Sequence, residues 1–123
     1  MEQENVLSAE TLKEIEAKVA ELKETNKVKR VFPFYVLGDE CDSKEIYIAY
    51  FRQPSFVAFT KYMSLAQKES VGAMRELARD CFLDGDKELI KDDSLFIYGL
   101  MPHLSQLIQL RSGGLANFSK SGK

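Results

Sequence analysis

The chain has 123 residues, 19 of them acidic and 17 basic, for a formal charge of −2, and is 45% hydrophobic and 29% charged. That length fits one domain with a core of its own. The balanced charge argues against a dedicated nucleic-acid binder, and no stretch approaches the roughly 20 apolar residues of a membrane span.

The opening residues, MEQENVLSAE, have neither a basic n-region nor an apolar h-region. No signal peptide is therefore expected, and a cytoplasmic location is. Two cysteines, Cys41 and Cys81, do not make a disulfide framework, so reduced thiols are expected as well.

Residues 8–25 read as a helix. Ser8 is a natural N-cap, Glu10 lies in the first turn where the helix dipole favours acid, and Glu14 and Lys18 stand at i,i+4. Its apolar residues, Leu12, Ile15, Val19 and Leu22, recur at 3-4-3 spacing in one narrow stripe. Such a stripe suits either a helix packed on the domain surface or an arm that binds a partner or a second copy, and two heptads are too few for a coiled coil.

Residues 31–37 (VFPFYVL) and 45–51 (EIYIAYF) are rich in β-branched and aromatic residues and flank a polar loop opened by Gly38, the pattern of a β-hairpin. Pro33 confines the first strand to an edge or a start. On the second strand, Ile46, Ile48 and Tyr50 share one face and Tyr47, Ala49 and Phe51 the other. Both faces are apolar. One is expected to pack on helices, and the other is open to further strands, including another subunit's.

Pro54 ends the second strand. Residues 55–67 then read as a helix with Phe56, Phe59, Met63 and Ala66 on one face, and residues 70–82 as another, N-capped by Ser70, with Val71, Met74, Leu77, Ala78 and Cys81 recurring. The short join makes them a tight pair. Residues 92–111 form a last helical stretch, apolar around most of its circumference and hence the most buried, with a kink or break expected near Gly99 and Pro102. Residues 112–123 (SGGLANFSKSGK) read as a flexible tail.

The acidic segment CFLDGDKELIKDD, residues 81–93, invites a calcium reading. With Asp84 at position 1 of an EF-hand loop, Leu89 replaces the required Gly at position 6 and Leu95 the bidentate Glu at position 12. The residues fit a helix stop, an Asp84-Gly85 turn anchored by Leu89 and Ile90, and a cap by Asp92 or Asp93 on the last helix. No catalytic motif or metal-spaced Cys/His set is present, and the single histidine, His103, has no evident catalytic partner. The expectation is a protein that is not an enzyme and needs no cofactor or metal. The helix pair resembles a helix-turn-helix, but Arg75 and Arg79 on its second helix are offset by Glu76 and Asp80.

Residues 45–110 resemble small phage tail assembly chaperones. The resemblance rests on a strand running into Phe51-Arg52-x-Pro54, on Leu77-x3-Cys81-Phe82-Leu83-x-Gly85-Asp86, and on an Asp92-Asp93 pair opening the last helix. It implies a non-enzymatic protein of the host cytoplasm that binds the aggregation-prone tape measure protein or another tail protein, keeps it soluble and often self-associates. A structural or adaptor subunit that stays in a particle is the alternative. Phe56, Phe59, Met63 and Met74 suit an adaptable apolar binding face, but the narrow stripe of Leu12, Ile15, Val19 and Leu22 is the better candidate for an external contact.

The expected fold is α+β and mostly helical. It comprises an amphipathic helix or arm over 1–27, one domain over 28–111 built from a β-hairpin and a bundle of three or more helices, and a tail over 112–123.

Overall fold

Ser8 caps the first helix as its sequence suggests: its hydroxyl accepts from the Thr11 backbone N–H at 3.1 Å and opens α1 (Ala9–Asn26). In the computed structural model, which describes residues 7–38, 45–108 and 113–116, an α+β chain follows. The hairpin strands are β1 (Val31–Leu37) and β2 (Ile46–Arg52). The helix pair is α2 (Phe56–Ala66) and α3 (Ser70–Cys81), and after it come β3 (Phe82–Gly85) and the single turn α4 (Glu88–Lys91). A π-helical segment, Ser94–Leu100, runs directly into a 3-10 segment, Met101–Leu107.

The three strands form one antiparallel sheet in the order β1-β2-β3. Val31 lies opposite Arg52 and Leu37 opposite Ile46, and the Gly38 N–H closes the hairpin by donating to the Glu45 carbonyl. Because backbone direction alternates along an antiparallel pair, this register turns the amides and carbonyls of Phe32, Phe34 and Val36 toward β2. Those of Val31, Tyr35 and Leu37, with the Pro33 carbonyl, face away. Proline thus occupies a position where no ladder bond is lost, on an edge strand.

Both faces of β2 are covered by helices. Ala49 and Phe51, on one face, sit in the main core with Phe34, Leu77, Ala78, Cys81, Leu89, Phe96, Leu100, Leu104 and Leu107. Phe51 meets Phe34 and Phe82 edge-on, with ring centroids 5.6 and 5.8 Å away. On the opposite face Ile46, Ile48 and Tyr50 pack with Val31, Leu83 and the Ile15, Val19 and Leu22 stripe of α1. The face left open to further strands is therefore filled by the chain's own first helix, whose single apolar row fits the narrow sheet, and α1 does not stand off as an arm.

The acidic segment contains the main departure from expectation, a third strand where a turn was read. Phe82 pairs with Phe51, Asp84 with Tyr50 and Gly85 with Ala49, the register shifting past Leu83, and Gly85 turns the chain at φ +118°. Asp86 then prolongs the pairing: its N–H donates to the Ile48 carbonyl at 2.8 Å, and its carboxylate accepts from the Ile48 N–H at 2.9 Å. The cap falls to Asp92, whose carboxylate accepts from the Leu95 N–H at 2.9 Å. Leu89 and Ile90 are both buried.

Ser70 is the first residue of α3 and not its cap. The capping position belongs to Glu69, which makes no side-chain cap bond. Regular α-winding fails around Pro102, where a break was expected. The Met101 N–H reaches the Phe96 carbonyl, five residues back, and the 3-10 segment takes over. Gly99 lets this run touch β1, since a Cβ there would lie 2.5 Å from Val36 Cγ1. The tail expected over 112–123 falls outside the described residues except for 113–116, and Cys41 lies outside them too.

Cys81 is a free, fully buried thiol, and burial pushes its pKa up to about 11. Its folded-state pKa lies above the unfolded value, so its stabilising contribution is intact below the ordinary thiol range and is lost as pH rises toward 11. In a Cys41→Ser protein, Cys81 should resist iodoacetamide at mildly alkaline pH until urea unfolds the chain. Mass spectrometry of samples across the transition checks this, and labelling of the native protein would contradict it.

Candidate protein-binding surface

The α2 sequence, FVAFTKYMSLA, is strongly apolar, yet among its residues only Ala58 is buried. The helix is held at its start by Ser55, whose hydroxyl accepts from the Ala58 N–H at 3.1 Å. Along its side it is tied to α3 by ions: Lys61 Nζ lies 3.1 Å from Asp80 and 3.9 Å from Glu76, and Glu76 takes Arg79 at 3.0 Å. These pairs are exposed and individually weak, and they set orientation more than stability. The helix α3 sinks its own face deeply, with Ala73, Leu77, Ala78 and Cys81 buried in a row at helical spacing. The small residues in that row bring α3 close to the sheet and leave α2 riding on the outside.

Phe56 is 79% exposed, Val57 74% and Met63 50%. Phe56 and Met63 are seven residues apart, hence on one face of the helix. Phe59 lies between them, half-buried, with its ring centroid 6.5 Å from that of Tyr62. Beside this stripe an open groove of about 330 Å³ runs past Pro54, Phe56 and Phe59 to Leu107 and Ile108. The apolar row and the groove form a continuous surface of the kind that takes an apolar side of another protein.

The residues singled out from the sequence divide accordingly. Phe56, Phe59 and Met63 share this surface. Met74 is half-buried against the main core. Ile15 and Leu22 are buried, Val19 packs beside them, and Leu12 alone of that stripe stays open, at 38%. Their apolar surface already meets the sheet, so little is left for an external partner. The sequence reading missed Val57 and the contribution of Ile108. Val57 was signalled by its place in the unbroken apolar run FVAF, whereas Ile108 reaches the groove only through the tertiary fold.

The carboxylates of Asp84, Asp86, Asp92 and Asp93 in the acidic segment have structural partners. Asp84 takes Lys18 Nζ at 2.7 Å and the Gly85 N–H at 2.9 Å, which hold its carboxyl below the usual range while Asp84 raises Lys18. Lys18 thus binds across to the sheet, and not to Glu14 as helix spacing suggested. Burial raises the neighbouring Tyr50 phenol. Arg75 pairs with Asp93 at 2.8 Å and lies 4.8 Å from the Phe96 ring centre, so with Arg79 held by Glu76 both arginines of α3 are engaged within the fold.

Among the described residues no three of His, Cys, Asp and Glu gather as a metal cluster would. No described helix is long and apolar enough to cross a membrane. No protein-family profile, curated protein or solved structure matches the chain.

Proposed function

We propose that the protein is a binding protein without catalytic activity that shields an apolar segment of a client, and that the client is a phage tail component such as the tape measure protein. The observation that carries the binding reading is α2, an apolar helix capped and ion-paired into place with Phe56, Val57 and Met63 left in solvent. Exposed aromatic and methionine side chains beside a groove accommodate varied apolar helices, because Met repacks with little strain. The client's identity and a location in the host cytoplasm during assembly are what the resemblance of residues 45–110 to tail assembly chaperones implies.

Co-expression with a tape measure protein tests this. The wild-type chain is expected to raise the client's soluble yield and to co-purify with it. A Phe56→Asp/Met63→Asp variant is expected to bind about tenfold more weakly or worse while melting within a few degrees of wild type, since neither side chain supports the core. Equal binding by the variant would remove α2 from the interface. Recovery of the protein in purified particles would favour a structural subunit instead.

A further inference from the structure

The sheet has two outer edges of different character. That of β3 is four residues long and carries Asp84, with Asp86 just beyond. Charge and brevity are the usual protection of an edge. The β1 edge is seven residues long, VFPFYVL, with no charged side chain. Along it the amides of Val31, Tyr35 and Leu37 and the carbonyls of Val31, Pro33, Tyr35 and Leu37 face away from β2, as the hairpin register dictates.

This edge borders an open groove of about 420 Å³ between residues 33–37 and the side chains of Tyr98, His103 and Gln106. Tyr98 is 81% exposed. The close seat of Gly99 on Val36 places the C-terminal helical run over the edge strand itself, so these side chains reach past the sheet. Among the described residues nothing occupies the place of a fourth strand beside β1, and the side chains of the helical run floor it.

We propose that this groove binds an extended segment of a partner protein, which adds to β1 as a fourth strand. A second copy pairing through its own β1 fits poorly. Each copy would bring a helical run over its own edge strand, and strands about 4.8 Å apart leave too little room for two helices that need about 8–10 Å. A bare strand has no such layer. The two ends of β1 differ in charge, with Lys29 two residues before the strand and the Glu45 carboxylate folded against Gly38 just after it. The fitting segment is therefore apolar or uncharged in its middle, acidic where it passes Lys29 and basic where it passes Glu45. Backbone bonds supply the affinity, and Pro33, which offers no N–H, sets the register. The inference does not rest on the phage reading or on α2.

The probe is a synthetic peptide of alternating Thr and Val with Glu at one end and Lys at the other, together with a copy N-methylated at alternate residues. Calorimetry on the full chain is expected to show saturable binding of the plain peptide, with slowed amide exchange at Tyr35 and Leu37. The N-methylated peptide should bind about tenfold more weakly or worse. Tyr35→Pro removes only an outward N–H, leaves the β1–β2 ladder intact and should weaken binding similarly. If that variant misfolds, Tyr35→Lys places a charge on the edge and gives the same readout. Phe56→Asp/Met63→Asp should leave peptide binding unchanged, which separates this site from the α2 surface. Absence of binding, or equal binding by the N-methylated peptide or by a folded Tyr35 variant, would overturn the proposal. So would protection of these amides in a free protein of twice the 14.0 kDa chain mass, which would assign the edge to a second copy.

Discussion

Replacing Gly85 by alanine is expected to destabilise the protein by about 3 kcal/mol or more, enough to lower its melting temperature by roughly 10 °C. Two costs combine. Gly85 has φ +118°, which L-residues with a Cβ rarely adopt. A Cβ there would also lie 2.5 Å from the Ile48 carbonyl oxygen and 2.6 Å from Ala49 Cα, both backbone atoms of the central strand that cannot swing aside. Relief requires the turn to move, which breaks the two bonds between Asp86 and Ile48 and draws Leu89 and Ile90 from the core. Gly114→Ala is the control. Nothing lies within 4 Å of a Cβ at that position, and a change within about 0.5 kcal/mol is expected. Urea unfolding of both variants, followed by circular dichroism, checks the pair. Equal midpoints would mean that the β3 turn contributes little to stability.

Phe51→Ala is expected to cost about 3–5 kcal/mol, a large part of the roughly 5–15 kcal/mol that holds a domain folded. Phe51 is fully buried on the central strand and joins Phe34 on β1 to Phe82 on β3 through two edge-on ring contacts. Truncation opens a cavity that the ladders on either side of β2 prevent from collapsing. Phe51→Leu keeps most of the volume and should cost about 1.5 kcal/mol. Phe56→Ala, the same truncation five residues on, should change stability by no more than about 0.5 kcal/mol, because Phe56 is in solvent. Chemical denaturation of the three variants measures the contrast. A large loss for Phe56→Ala would show that its ring supports the fold, and would count against its assignment to a binding surface.

The two phenylalanines also show where sequence reasoning reached its limit. Both lie in apolar stretches with clear periodicity, and periodicity identifies a face without saying what covers it. Phe56, Phe59 and Met63 and the Leu12–Leu22 stripe are both one-sided apolar rows, and by its narrowness the Leu12–Leu22 stripe reads as the better external contact. The structure places the first on the outside and most of the second against the sheet. Which row is covered depends on the order in which layers stack, and layer order is set by contacts between residues far apart in the chain.

Local chemistry accounts for what the sequence determined. Ser8 and Asp92 cap helices because their side chains reach N–H groups three residues on. Pro33 marks an edge strand, and Pro102 interrupts regular winding, because proline lacks an N–H wherever it stands. Alternation along β2 assigned its two faces, and the α+β class with a hairpin and several helices followed. The tertiary structure alone decided three things. It made Phe82–Gly85 a strand, since so short a segment pairs only when β2 lies beside it. It drew Lys18 across to Asp84 and away from Glu14. It set the helical layer over the edge of β1, because the lack of a side chain at Gly99 becomes an intimate fit only when Val36 is opposite. Each depends on a partner distant in sequence, and no local pattern encodes which distant partner the folded chain supplies.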